Sequence, residues 1–221
     1  MKKLVLSLVF LVTILISLSN RVEASYVYDV DVGDAIKLVS FNNLTGAGAL
    51  ELRKDATGFQ WVSFCLEKNQ TIPVNQNVYI GSISNYAIPG GGGAGPSGDP
   101  ISDYTAWLFM SSELGTLPNY DGGMFDSADL QKRIWLNENE ISSTTYYDET
   151  SVILWYTTFA ASGWYNDGIV KVLNLYKDTG FTIHVQDQLI LGTKTVPEPS
   201  TVVLFCAGLL GITLISRKKK N

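Results

Sequence analysis

The stretch YVYDVDVGDAIKLVSF, residues 26–41, alternates apolar and polar side chains on both sides of a turn signal at Gly33 and Asp34. Alternation with a period of two is typical of a half-buried β-strand. Residues 49–53 and 59–66 continue in the same style and are joined by a turn-rich segment. The sequence therefore predicts an antiparallel sheet at the start of the folded region.

The pattern changes to a helical period after a glycine-rich segment. Residues 89–100 include four consecutive glycines, for which we expect a flexible loop. A short strand is predicted before this loop at residues 77–83, and a closing strand at residues 181–191. Four segments have apolar residues at helical spacing and are predicted as helices, although the third could also be a strand: residues 102–114, 128–141, 148–161 and 167–178.

The order of strands, helices and a final strand indicates an α+β class. We expect an antiparallel β-sheet, as a sandwich or barrel-like, with a helical insert. Residues 25–195 form one exported domain in this interpretation, because their number fits the usual size of a single domain.

The N-terminus is typical of a secretory signal peptide. Lys2 and Lys3 precede an apolar stretch, and Ala24 and Ser25 mark a cleavage site with a small residue. Residues 1–24 are therefore excluded from the predicted fold.

The C-terminus combines three features in residues 196–221. VPEPST is followed by an uncharged apolar run and then by the basic end RKKKN. The run is close to the length that crosses a thin bilayer, so a transmembrane helix is predicted at residues 200–216. The cations after it are expected to stay on the cytoplasmic side, which leaves the rest of the chain outside.

This tail resembles the PEP-CTERM sorting signal of Gram-negative bacteria that secrete exopolysaccharide, with Pro197, Glu198 and Pro199 as the processing motif. The resemblance implies export through the inner membrane, transient anchoring by the helix, and recognition by an exosortase-type membrane protease. It implies a final place in the cell envelope, at the surface or in the extracellular matrix. A plain C-terminal anchor without processing is the alternative.

Charge and cysteine content limit the function of the chain. The 221 residues carry a formal net charge of −5, and the exported part is more acidic because basic residues concentrate at both ends. Binding to nucleic acid needs a basic surface, so we expect no such partner. Cys206 lies in the predicted span, which leaves Cys65 as the one other cysteine. A lone thiol in an exported domain is unusual.

Two short motifs surround Cys65 and Gln131: FCLE at residues 64–67 and LQKRIW at residues 130–135. Together they resemble the two half-motifs of bacterial thioester domains, although Arg133 stands where that family usually has Ala. The resemblance implies an internal thioester between Cys65 and Gln131 that captures a surface amine or hydroxyl. We expect Gln131 in the first turn of its helix, where free backbone donors could stabilise an oxyanion.

The residues also allow a non-reactive interpretation, in which Cys65 is a small buried apolar residue and Gln131 a solvated one. The two functional predictions are therefore adhesion through a thioester and a passive, glycan-associated component of an exopolysaccharide or biofilm layer. We expect neither an enzyme nor a cofactor or metal. His184 is the single histidine, which excludes a multi-histidine site, and its place in an alternating segment predicts a surface or edge residue. Glu138 and Glu140 are expected to be solvated.

Overall fold

The computed structural model describes residues 30–44, 46–88 and 98–192, which belong to one compact unit, Val27–Gly192. It contains an antiparallel sheet and three α-helices, as the α+β prediction required. The strands are β1 (Ala35–Leu44), β2 (Ala47–Lys54), β3 (Gln60–Ser63), β4 (Asn77–Ser84), β5 (Tyr86–Ala87), β6 (Asp99–Pro100), β7 (Val170–Tyr176) and β8 (Gln188–Leu191). The helices are α1 (Asp103–Glu113), α2 (Met124–Asn137) and α3 (Glu149–Ser162).

The main sheet has six strands in the order β3-β2-β1-β4-β7-β8. β1 and β2 form its longest hairpin, and β5 pairs with β6 in a separate two-stranded ribbon. The edges of the main sheet approach each other where the chain leaves β3, because residues 64–66 bond to the backbone of β8. No sheet in the described ranges closes into a barrel, so the barrel-like prediction is corrected to an open, curled sheet.

Side chains at the helix ends explain where the helices begin. Ser102 caps α1 by accepting a hydrogen bond from the Thr105 N–H at 3.1 Å, and the Asp148 carboxylate caps α3 through the Thr150 and Ser151 N–H groups. α3 ends at Gly163, whose φ of 63° is readily adopted by glycine. These caps confirm the predicted helices at residues 102–114 and 148–161.

Helix α2 contributes to two hydrophobic clusters. Leu130 and Ile134 pack into a cluster built largely from the three helices with β7 and β8. Ala128 and Trp135 pack into a second cluster, built from β1, β2, β4 and β7. A helix with apolar side chains on two faces is held from both sides, which fixes its rotation. Gln131, on the same helix, is therefore held in a defined direction.

The prediction of a helix at residues 167–178 is wrong, since this segment contains β7. β7 lies between β4 and β8 and is buried on both faces, so its apolar residues do not alternate. In a short and mostly apolar segment, the spacing of the apolar residues does not separate a buried helix from a central strand. Tertiary pairing decides in favour of the strand.

Several predictions fall outside the described residues. These are the signal peptide at 1–24 with its cleavage site, residues 89–97 of the glycine-rich loop, and the tail at 196–221 with its helix at 200–216. Residues 99–100 of the predicted loop are described, and they form β6. Among the described helices, none has the length and apolar character needed to cross a membrane.

Candidate functional site

The backbone of Cys65 is turned toward the helices because its neighbours bond to β8. Leu189 N–H donates to Phe64 O, and Leu66 N–H donates to Asp187 O, both at 3.1 Å. Cys65 lies between them, opposite Gln188, in an antiparallel bridge. In such a ladder the intervening residue directs its own N–H and C=O away from the partner strand. The peptide groups of Cys65 are therefore available to another element.

The side-chain amide of Gln131 in α2 forms hydrogen bonds with both of these peptide groups. Cys65 N–H donates to Gln131 Oε1 at 3.0 Å, and Gln131 Nε2 donates to Cys65 O at 2.8 Å. Cys65 Sγ lies 3.2 Å from the same Oε1. Gln131 is fully buried and Cys65 is 6 % exposed. The two residues singled out in the sequence are thus in direct contact, and the expectation of a solvated Gln131 is wrong.

The helical position of Gln131 differs from the one expected. α2 begins at Met124, so Gln131 lies about two turns inside the helix, where backbone N–H groups already have helical partners. The donor to its carbonyl oxygen is instead the N–H of Cys65. We expected free N–H groups at the start of the helix to be the donors to an oxyanion. In the structure the donor is a backbone N–H of the segment that follows β3.

The pKa of the Cys65 thiol is raised far above its usual range, first by burial and then by the electrostatic interaction of the thiolate with Glu67. A thiol in this environment stays protonated at neutral pH, and the thiolate is the reactive form. Any acylation of Sγ therefore requires a base to accept the proton.

Arg133 lies away from the contact between Cys65 and Gln131. Its guanidinium group stacks on the ring of Tyr104, 5.0 Å from the centroid, and lies 5.7 Å from that of Tyr156. These aromatic residues belong to α1 and α3. The positive charge at position 133 is therefore held in a cation–π contact on another face of α2.

Two buried carboxyl groups, those of Glu67 and Asp187, lie next to each other near Cys65. Glu67 Oε2 accepts a hydrogen bond from Asp187 N–H at 2.8 Å, and both residues are almost fully buried. Burial, and then the charge of Asp187, raises the pKa of Glu67 to about 9. Glu67 therefore holds a proton at neutral pH, within two residues of the thiol.

Four residues form hydrogen bonds with the two side-chain oxygens of Asp187. Asn174 Nδ2 and Ile88 N–H donate to Oδ2 at 2.9 and 2.7 Å, Leu175 N–H donates to Oδ1 at 3.2 Å, and His184 Nε2 lies 2.7 Å from Oδ1. The prediction of His184 as a surface or edge residue is only partly correct, since its ring is paired with this buried acid. The sequence analysis did not identify Asp187. The one indication was the presence of an acidic residue in a segment where apolar residues alternate.

The sorting motif lies beyond the described residues but is matched by a family model. Residues 195–219 match the PEP-CTERM protein-sorting motif, which includes Pro197, Glu198 and Pro199. The motif indicates export and sorting by an exosortase system to the cell surface or extracellular space, with recognition by exosortase, a membrane protease. No curated protein and no solved structure matches the chain.

Proposed function

We propose that residues 25–195 form a surface domain that binds a ligand covalently through an internal thioester between Cys65 Sγ and Gln131 Cδ. The observation that carries the proposal is the buried pairing of the Gln131 amide with the backbone of Cys65, which brings Sγ within 3.2 Å of Oε1. A nucleophile and an electrophile held in this way gain much of the entropy that the reaction otherwise costs.

Formation of the thioester replaces one bond on the Gln131 carbonyl carbon. Sγ bonds to Cδ, the Cδ–Nε2 bond breaks, and the thiol proton leaves with the amino group as ammonia. While the carbonyl carbon is tetrahedral, the negative charge is on Oε1, and Cys65 N–H is already bonded to that atom. Cys65 O holds the departing amino group. The reactants are thus arranged before the reaction begins.

The thioester is an acyl donor for an amine or hydroxyl on a partner, with the Cys65 thiol as leaving group. The acyl group is consumed once, so the domain binds and does not turn over. In the proposed sequence of events, the helix at residues 200–216 anchors the exported chain transiently, and exosortase then cuts near Pro197. Adhesion or interaction at the cell envelope is the resulting function.

A second candidate is a non-reactive, glycan-associated component of the exopolysaccharide layer. It is favoured by exposed aromatic side chains: Phe125 and Tyr147 pack edge to face with ring centroids 5.1 Å apart and are 58 % and 48 % exposed. Amphipathic rings of this kind can pack on sugars. This candidate requires no bond between Cys65 and Gln131, so trapping chemistry separates the two.

We expect the purified full-length chain to incorporate one methylamine, located at residue 131 by peptide mapping. Attack on the thioester releases Sγ, so a free Cys65 thiol should appear in equal amount. Cys65→Ala and Gln131→Glu should incorporate none, because the first lacks the nucleophile and the second lacks the amide. Gln60→Glu is the matched control, since Gln60 is an exposed residue of β3. Methylamine at residue 131 in Cys65→Ala would contradict the proposal, as would no incorporation by the wild type.

A further inference from the structure

Helix α3 presents an uncharged and largely apolar side to solvent. Val152 and Trp155 belong to its buried side. The opposite side, the α3 face, is exposed and carries these apolar residues: Ile153, Leu154, Tyr156, Ala160 and Ala161. After Glu149, no charged residue follows before Asp167. A surface helix normally has charged residues toward solvent, and a helix that is apolar all round is normally covered, so the α3 face fits a partner.

The end of the described chain lies beside the segment that follows α3. Residues 163–169 connect α3 to β7, and Tyr165 in this segment is 67 % exposed. Gly192 N–H donates a hydrogen bond to Ile169 O at 2.5 Å. The C-terminal tail therefore leaves the domain next to the segment that continues from the α3 face.

The tail limits how far this part of the domain can move from a membrane. Residues 195–219 contain the sorting motif, and the exosortase that recognises it is a membrane protease. An extended chain spans at most about 3.6 Å per residue, so Gly192 stays within about 20 Å of Pro197 and within about 30 Å of the predicted helix start at residue 200. In the anchored state proposed above, the bilayer surface is therefore within reach of the α3 face.

We propose that the α3 face lies on the outward-facing surface of the inner membrane while the tail anchors the chain. The proposal rests on the anchoring proposed above and does not depend on the thioester. Tyrosine, present here as Tyr156 and Tyr165, is enriched where lipid meets water, because its ring is apolar and its hydroxyl polar. The binding of an interfacial helix strengthens with the apolar area that it buries.

The short connection to the anchor favours the bilayer over a second copy of the chain. A domain that binds the surface to which it is already tethered does so intramolecularly, and short flexible linkers give effective concentrations in the millimolar range. A second copy has no such link to the α3 face. A weak apolar contact is therefore sufficient, and it ends when the tail is cut.

Two equally exposed apolar positions allow a matched comparison. Ile153 of the α3 face is 58 % exposed, and Val32, in the turn before β1, is 57 % exposed. The residue after Val32 bonds to Ile80, whose partner in the sheet is Leu175. Leu175 lies toward the end of β7 that is opposite to Gly192. Position 32 is therefore a control away from the anchored end of the domain.

The test places a fluorescent amino acid at position 153 or at position 32 of the full chain. The chain is reconstituted in vesicles of phosphatidylcholine, a lipid without net charge, in which a fraction of the lipid carries a nitroxide quencher. We expect quenching at position 153 to be at least about threefold stronger than at position 32. Added salt should change it little, because residues 150–166 carry no charge.

A charge placed on α3 should weaken the contact. Thr157 is exposed on α3, and Thr157→Glu should lower the quenching at position 153 by about threefold or more, because a carboxylate resists transfer into the bilayer interface. Thr57→Glu is the matched control. It adds the same charge in the exposed turn between β2 and β3 and should leave the quenching unchanged.

Flotation of the vesicles distinguishes the failure of this proposal from the failure of the anchoring. If the full chain does not float with the vesicles, the anchoring is overturned and the contact of α3 with it. If the chain floats but positions 153 and 32 are quenched equally, or Thr157→Glu has no effect, only the contact of α3 is overturned. Energy transfer between copies labelled at position 153, without quenching by lipid, would show that a second copy covers the α3 face and would also overturn the proposal.

Discussion

The free energy of unfolding should fall by a few kcal/mol as the pH rises from about 5 to about 9, and by much less in Glu67→Gln. Burial, and then the charge of Asp187, raises the pKa of Glu67 in the folded protein to about 9, whereas an unfolded glutamic acid has a pKa of about 4.3. The folded state therefore binds this proton more tightly. Its stabilising effect is complete below the unfolded pKa and is lost as the pH rises through the folded one.

Urea unfolding at several pH values across this range measures the effect. A smaller slope should remain in Glu67→Gln, because the pKa values of Glu138 and Asp99 are raised in the same direction. Glu67 also faces Asp187, which is bonded to His184, and Glu140. The dependence of the unfolding free energy on pH therefore reflects the titration of all these groups together. Glu149→Gln should follow the wild type, because Glu149 is an exposed carboxylate of α3. Parallel curves for the wild type and Glu67→Gln would show that Glu67 is ionised in the folded protein.

Trp155→Ala should lower the free energy of unfolding by about 3–5 kcal/mol. Trp155 of α3 is 1 % exposed, and its ring lies edge to face with Tyr120 at 6.3 Å. Its indole N–H donates to Pro118 O at 2.7 Å. The substitution removes a large buried ring and leaves this carbonyl without its donor, so cavity and hydrogen-bond costs add. Thermal or urea unfolding at one fixed pH measures the loss.

Two further variants identify the cause. Trp155→Phe keeps most of the apolar ring but lacks the N–H, so its cost should be smaller, about 1–3 kcal/mol. Ile153 lies on the same helix and is 58 % exposed, so Ile153→Ala should change stability by about 0.5 kcal/mol or less. Equal losses for Trp155→Ala and Ile153→Ala would mean that α3 is not anchored by Trp155.

The contact between Cys65 and Gln131 was predictable because short motifs carry it. The apolar residues around Gln131 repeat at helical spacing, and Gln131 lies in a helix as predicted. Those before Cys65 alternate, but β3 ends at Ser63, and Cys65 lies just after it in a bridge to Gln188. The prediction that the two residues pair, however, came from a resemblance to a known family. The residues alone also allowed Cys65 as a buried apolar side chain, and they gave the wrong helical turn for Gln131.

The acidic residues around the site were not predictable from local pattern. Glu67 and Asp187 are 120 positions apart and meet because the segment after β3 pairs with β8. Glu138 follows the last turn of α2 and is buried by contact with Ser102, the cap of another helix. Local patterns report which face of an element is apolar, and they do not report which polar residues distant elements bring together.

The central claim is that Cys65 and Gln131 are covalently joined, and the intact mass of the purified full-length chain tests it most directly. The mass is compared with that of Cys65→Ala prepared in the same way, after correction for the mass of the substitution. Processing at the termini then affects both proteins equally and does not change the difference. The account predicts that the wild type is lighter by one ammonia, about 17 Da, and that its Cys65 resists alkylation. A wild type that differs in mass from Cys65→Ala by the substitution alone, and whose Cys65 is alkylated under denaturing conditions, would contradict it.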